Sequence, residues 1–285
     1  MNVSAEAVGV DAALRQREGA LIDRLRGLPS IVIAYSGGVD SAYLAWAASR
    51  VLGDRALAVT ADSASYPARH REMALSIASA FSLNHEIIHT DELERPEYRA
   101  NNPDRCYHCK TELFTHLTRL AGARGFAAVA DGSNADDRGD YRPGRSAARE
   151  LGVISPLDEA GLTKDDVRAL SREAGLPTWD EPASACLSSR IPYFSEVTEE
   201  KLHVIEQAEE AIRALGFRVL RVRHHGEIAR IEVARNELPR LVDPEIAAAV
   251  DRALRGLGFR FVTVDLKGYR LGSLNEGVVL RPVHE

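Results

Sequence analysis

Hydrophobic spacing along the first half of the chain switches repeatedly between a helical and an extended period. A helical pattern runs from about Val8 to Gly27, with Leu14, Leu21, Ile22 and Leu25 near one face. It gives way to Ile31-Val32-Ile33-Ala34-Tyr35, an unbroken apolar run bounded by glycines, which is how a strand buried on both faces reads. A helix over 41–52, a strand over 56–61 and a helix over 67–82 follow. A strand over 86–89, a helix over 109–122 and a strand over 126–130 complete the alternation. Strands alternating with helices predict an α/β domain, a doubly wound parallel sheet covered on both sides.

Beyond Asp131 the pattern loosens into a Gly-, Asp- and Arg-rich loop as far as Arg149. Thr163 and Asp166 have capping-box spacing and open a helix over 163–174. The stretch 176–197 is broken by prolines and serines and reads as a linker. A helix over 198–215, strands over 217–223 and 227–234, a helix over 243–256 and a strand over 259–265 form a smaller α+β domain. The expected division is therefore 1–175, linker 176–197, and 198–285.

Composition changes this picture little. At 285 residues there is room for one large or two modest cores, and 45% hydrophobic with 27% charged residues is ordinary for a globular protein. No apolar run reaches membrane-spanning length, and residues 1–11 lack a basic segment followed by an apolar one, so a cytoplasmic protein with no membrane partner is expected. The net charge of −6, from 36 basic and 42 acidic residues, lacks the basic surplus of a general nucleic-acid binder.

The first candidate chemistry lies between the first strand and its helix, at Ser36-Gly37-Gly38-Val39-Asp40-Ser41. An open parallel sheet places its ligand there, at the carboxyl ends of its strands. Two glycines let backbone N–H groups close around an anion, and the following helix adds its dipole. Ser36 and Ser41 offer hydroxyls, and Asp40 is suited to hold Mg2+ against phosphates. No lysine follows the second glycine, which excludes the kinase-type loop, and no G-x-G-x-x-G is present. S-G-G-x-D-S after a buried strand is the PP-loop signature of enzymes that cleave ATP between the α- and β-phosphates. Asp131-Gly132-Ser133-Asn134-Ala135-Asp136-Asp137 follows the fourth strand, reaches the same sheet edge and suits magnesium and ribose contacts, or a solvated turn.

Three cysteines form the second feature. Cys106 and Cys109 are spaced C-x-x-C, and Cys186 lies in the linker. The pair alone is open between redox dithiol, zinc and cluster ligand. A structural zinc needs a fourth ligand such as His108, whereas three thiolates suit a [4Fe–4S] cluster with one open iron. In the last domain Arg218, Arg221, Arg223, His224, His225 and Arg230 crowd one hairpin. The strand period puts Arg221 and Arg223 on one face, able to grip a phosphate or carboxylate, or simply to face solvent. Ser189 and Arg190 add donors if the linker folds back.

Taken together these residues resemble the LarE family, ATP-dependent sulfur transferases of nickel-pincer nucleotide biosynthesis. The resemblance rests on Ser36–Ser41, on Asn102-Pro103-Asp104 ahead of the C-x-x-C, and on Asp140-Tyr141-Arg142-Pro143-Gly144. It continues through Ser188-Ser189-Arg190-Ile191-Pro192-Tyr193, Arg221-Val222-Arg223-His224 and Ile228-Ala229-Arg230-Ile231-Glu232. The family has a single-cysteine type, which surrenders its own sulfur, and a three-cysteine type, which holds a [4Fe–4S] cluster carrying a replaceable sulfide. Cys106, Cys109 and Cys186 are similar to the second.

The resemblance implies adenylation of pyridinium-3,5-biscarboxylic acid mononucleotide with release of pyrophosphate, then attack by sulfide to give a thiocarboxylate, once on each carboxylate. It implies ATP, Mg2+ and the cluster as cofactors and a sulfide donor as partner. Arg221, Arg223 and Ser189 would hold the substrate phosphate, and a homo-oligomer is expected. The rivals are a tRNA-thiolating PP-loop enzyme, which the net charge disfavours, an amide-forming synthetase, which leaves the cysteines unexplained, and a non-catalytic nucleotide sensor.

Overall fold

The structure is a computed structural model that describes residues 12–139, 143–182, 185–270 and 272–275. The described residues divide into two compact units. Among them, unit 1 takes the residues within 12–61, 69–88 and 113–181, and unit 2 takes those within 62–68, 89–112 and 182–275.

Unit 1 opens with α1 (Ala12–Arg26), β1 (Ile31–Ala34), α2 (Val39–Leu52), β2 (Ala56–Asp62), α3 (Ala68–Ala80) and β3 (His85–His89). The short α4 (Pro96–Arg99) belongs to unit 2, while α5 (Arg105–Arg124) begins in unit 2 and ends in unit 1. Unit 1 closes with β4 (Ala128–Ala130), α6 (Pro143–Glu150), α7 (Pro156–Glu159) and α8 (Lys164–Glu173). Its four strands are ordered β3-β2-β1-β4, and β1 runs parallel to both β2 and β4.

The strand period of two explains why this sheet is covered on both faces. Ile31, Ile33, Ala56, Ala58 and Ala130 join a core built with α1, α2, α3 and α8. The intervening Val32, Leu57, Val59 and Val129 join a second core with Phe114, Leu117 and Ala121 of α5. A doubly wound α/β sheet results, as the unbroken apolar runs predict. Leu21, Leu25 and Leu44 are fully buried, each contributing about 1.5–3 kcal/mol of transfer free energy.

The loop expected over 131–149 is partly helical. A 3₁₀ turn occupies Ala135–Gly139, and α6 follows at Pro143, a residue whose fixed φ suits a first helical turn. Ala147 and Ala148 of α6 are buried, so packing of two small residues carries a segment whose composition reads as loop. Asp140, Tyr141 and Arg142 lie outside the described residues. At α8 the capping box forms as expected: Thr163 Oγ1 accepts from Asp166 N, and Thr163 N donates to Asp166 Oδ2.

Unit 2 carries α9 (Glu199–Ala214), β5 (Leu220–His225), β6 (Ile228–Val233), α10 (Leu238–Leu241), α11 (Pro244–Gly256) and β7 (Phe261–Val264). β5 pairs antiparallel with β6, which pairs parallel with β7. Leu220, Val222, Ile231 and Val233 face a core with Ile212, Leu254 and Phe259. A second cluster gathers Tyr98, Leu187, Ile191, Val197, Leu202 and Ile205, with Cys109 packed against it. The division differs from the boundaries expected at 175 and 198: residues 62–68, 89–112 and 182–197 all group with the C-terminal elements.

Candidate functional site: a phosphate loop and a sulfur site

In unit 1 the segment Ser36–Ser41 turns from β1 into α2. Gly37 has φ +64, and a Cβ there would stand 2.7 Å from Cβ of Ala74, so glycine is required both for the conformation and for the close approach of α3. Gly38 is the N-cap of α2 and no side chain caps that end. The first-turn N–H groups and the positive end of a 14-residue helix are therefore directed at the loop. Ser41 Oγ accepts from Ser36 N at 3.1 Å and donates to the Gly38 carbonyl at 3.2 Å, fixing the loop from within. Val39 is buried, so its side chain belongs to the core and only its backbone is part of the loop surface.

Around this loop stand groups of both signs. Asp40 receives Nζ of Lys164 at 2.5 Å and Nδ2 of Asn134 at 3.2 Å. Lys164 also donates its backbone N–H to Asp136 at 2.8 Å, which seats the first turn of α8 beside the acidic loop. Gly132 passes so close to α2 that a Cβ would come within 2.9 Å of Ser41 N. Asp131 is held by Ser133 and by Ser155, whose Oγ donates at 2.8 Å. Of the residues expected here, Ser36–Ser41, Asp131 and Gly132 come together. Lys164 was not expected; its place as the first residue after the capping threonine was the available signal.

Unit 2 holds all three cysteines. Cys106 is exposed, while Cys109 and Cys186 are half-buried. Burial pushes the Cys109 thiol well up, and the Glu92 carboxylate together with the other two sulfurs adds to the shift. Glu92 is itself buried and accepts from Ser63, Ser65 and Thr90 hydroxyls at 2.6, 2.5 and 3.0 Å. Arg105 is buried at 5% exposure, with Cys186 and Cys106 within electrostatic reach. Tyr98 donates to or accepts from Ser188 at 2.6 Å and faces Cys186 and Cys109.

A tetrahedral zinc needs ligands about 4 Å apart, and among the described residues no three His, Cys, Asp or Glu side chains are grouped to hold one ion. His108, the conceivable fourth ligand, instead lies 3.5 Å from Asp104. Cys186 and Cys106 both act electrostatically on the Cys109 thiol.

The linker does fold back. Arg223 Nη1 donates to the Ser189 carbonyl at 2.9 Å, and Arg190 Nη1 donates to the carbonyls of Ala185 and Cys186 at 2.7 and 2.9 Å. Arg190 is 1% exposed and pairs through Nε and Nη2 with both oxygens of Glu209. Arg223 pairs with the fully buried Glu232 at 2.7 Å and with Ser273. Arg221 lies over the Tyr269 ring at 5.1 Å. Burial and the neighbouring Arg190 pull the Arg221 guanidinium down to about 10, while Glu209 and Tyr269 act the other way. Arg230 pairs with Asp265 at 2.9 Å, and Arg218 is exposed ahead of β5. Their buried carboxylate partners, Glu209 and Glu232, were not anticipated; opposite charges on paired strands, such as Arg221 across from Glu232, were the clue.

No family model matches the chain. It is 38% identical over 266 residues to the pyridinium-3,5-bisthiocarboxylic acid mononucleotide synthase of Lactiplantibacillus plantarum, covering 93% of this chain and 96% of that one. It is 44% identical over 248 residues to an uncharacterised protein of Synechocystis sp., covering 87% and 92%. More distantly it is 26% identical over 224 residues to the glutamine-hydrolysing GMP synthase of Enterococcus faecalis, spanning 69% of this chain and 42% of that protein. With a glycine loop opening an uncapped helix, and a match that runs through both units, the chain belongs to the LarE family of PP-loop enzymes.

Proposed function

We propose that the protein is an ATP-dependent sulfur transferase that converts the carboxylates of pyridinium-3,5-biscarboxylic acid mononucleotide to thiocarboxylates. The observation that carries this reading is the gathering in one unit of three thiols and a crowded set of guanidiniums. An amide-forming synthetase has no use for the sulfurs.

In this reading the loop Ser36–Ser41 and the amino end of α2 bind the β,γ end of ATP, with Asp40 holding Mg2+ and Lys164 released from Asp40 to the phosphates. A substrate carboxylate oxygen attacks the α-phosphorus and pyrophosphate leaves, its charge offset by the loop. Sulfide then adds to the acyl carbon and AMP departs with the former carboxylate oxygen. Arg221, Arg223 and Ser189 hold the phosphate of the mononucleotide. Cys106, Cys109 and Cys186 would hold a [4Fe–4S] cluster, which when bound supplies the sulfide nucleophile.

The test is an anaerobic reaction with ATP, magnesium, the biscarboxylate nucleotide and sulfide, read by mass spectrometry. Two sulfur-for-oxygen replacements and release of pyrophosphate are expected. Pyrophosphate release without sulfur gain by cluster-loaded protein would sink the reading. We also propose a cytoplasmic homo-oligomer without a nucleic-acid partner, to be checked by light scattering and by tRNA binding at physiological salt. No helix among the described residues is long and apolar enough to cross a membrane.

A further inference from the structure

Beyond β7 the chain stays with β6 and reaches the polar face of the small sheet. Asp265 donates its backbone N–H to the Ile231 carbonyl at 2.9 Å, and its carboxylate accepts from Arg230 at 2.9 Å and from the Lys267 N–H at 2.9 Å. Gly268 has φ +70, and a Cβ there would stand 2.8 Å from the Val233 carbonyl, so only glycine lets the chain lie this close to β6. Tyr269 N then donates to that same carbonyl at 2.7 Å.

This segment touches the arginine pair at two points. The guanidinium of the buried Arg221 sits over the Tyr269 ring, 5.1 Å from its centre. A ring face attracts a guanidinium but brings no carboxylate charge, so it supplies position without neutralisation. Ser273 acts on the other arginine. Its buried hydroxyl accepts from Arg223 Nη2 at 2.8 Å and donates to Glu232 Oε1 at 2.7 Å, while Nη2 also reaches Glu232 Oε2 at 2.7 Å. That closed circuit of three side chains sets the plane of the guanidinium. Nε of Arg223 is buried with no acceptor among the described residues, a donor whose need an anion would meet.

We infer that Tyr269 and Ser273 are positioning residues of the anion site, holding Arg221 and Arg223 in the orientation that receives a substrate phosphate. The inference rests on the proposed assignment of those two arginines to the phosphate of the mononucleotide. It makes the segment after β7 a working part of that site. A segment that only packs against the sheet would matter for stability, and for every ligand alike.

Calorimetric titration with the biscarboxylate mononucleotide and with its dephosphorylated nucleoside separates those roles, with folding checked by thermal unfolding. The unaltered chain should bind the mononucleotide more tightly than the nucleoside. Tyr269→Leu removes the ring face, and Ser273→Ala opens the circuit around Arg223. Each should lose about tenfold in affinity for the mononucleotide and nothing for the nucleoside. Tyr269→Phe keeps the ring and should stay close to the unaltered chain. Equal losses for both ligands, or no loss in either variant, would overturn the inference, as would a loss in Y269F as large as in Y269L. Should Y269L fail to fold, S273A reads the same dependence through Arg223. An unaltered chain that binds both ligands equally would instead remove the phosphate assignment, and the inference with it.

Discussion

Arg190 and Glu209 form a two-point ion pair with almost no exposure, and the same guanidinium holds the backbone carbonyl of Cys186. The pair thus ties a cysteine-bearing loop to helix α9. Glu209 also accepts from Arg213 at 2.9 Å and from the backbone N–H of Val222 at 3.1 Å, so strand β5 depends on it as well.

Breaking this pair from the arginine side leaves a buried carboxylate with only the partly exposed Arg213 paired to it. Arg190→Met should cost about 3–5 kcal/mol in urea unfolding, far more than loss of an exposed pair such as Arg26–Asp23. The double variant Arg190→Met with Glu209→Leu should recover part of that loss.

Acid should destabilise the fold in two stages. Burial alone would raise the Glu209 carboxyl, but Arg190 overrides it and brings the group from 4.5 to about 2. A depressed carboxyl gives stability that is present above about 4.5 and lost as pH falls toward 2, of order 3 kcal/mol in all. Burial also lowers His85, His224 and His225 from 6.5, so a shallower decline should begin below that value, where an unfolded chain binds protons first. Urea midpoints against pH should show both, and Glu209→Gln should flatten only the lower stage.

Two glycine variants should separate steric from conformational demands. Gly132→Ala puts a methyl 2.9 Å from Ser41 N, crowding the start of α2, and should weaken ATP binding by tenfold or more on a scale of about 1.4 kcal/mol. Gly53→Ala meets nothing within 4 Å but has φ +59, so it should cost about 1 kcal/mol of stability with nucleotide affinity intact. Calorimetric titration with ATP and thermal unfolding read the two effects.

Lys164→Met should lower pyrophosphate release about 100-fold with little change in unfolding, because the pair it makes with Asp40 is partly exposed and structurally minor. A raised KM with turnover unchanged would instead indicate an interaction made equally in the ground state and the transition state.

Much of unit 1 was legible because its signals are local. The apolar runs of β1 and β2, the S-G-G-x-D-S turn and the Thr163–Asp166 capping box each announce themselves within a few residues. Helix α6 was not legible, since its buried residues are Pro143, Ala147 and Ala148 amid arginines. Nor were the partners of the sulfur site. Arg105 was written into the sequence beside the C-x-x-C, but only the fold brings residue 188 to it. The same holds for Glu209, which reads as one more charge on an acidic helix face until Arg190 arrives opposite.

The contact of Gly37 with Ala74 carries a constraint into a helix that contains no motif. Since Cβ of Ala74 already occupies the space beside the loop, a branched or longer residue at 74 has nowhere to go without opening the turn at 37. Permissible changes at position 74 are therefore governed by a residue far from it in the chain, and the two positions form a single unit of variation. A designer who leaves the phosphate loop untouched and varies only the neighbouring helix can still disable the nucleotide site.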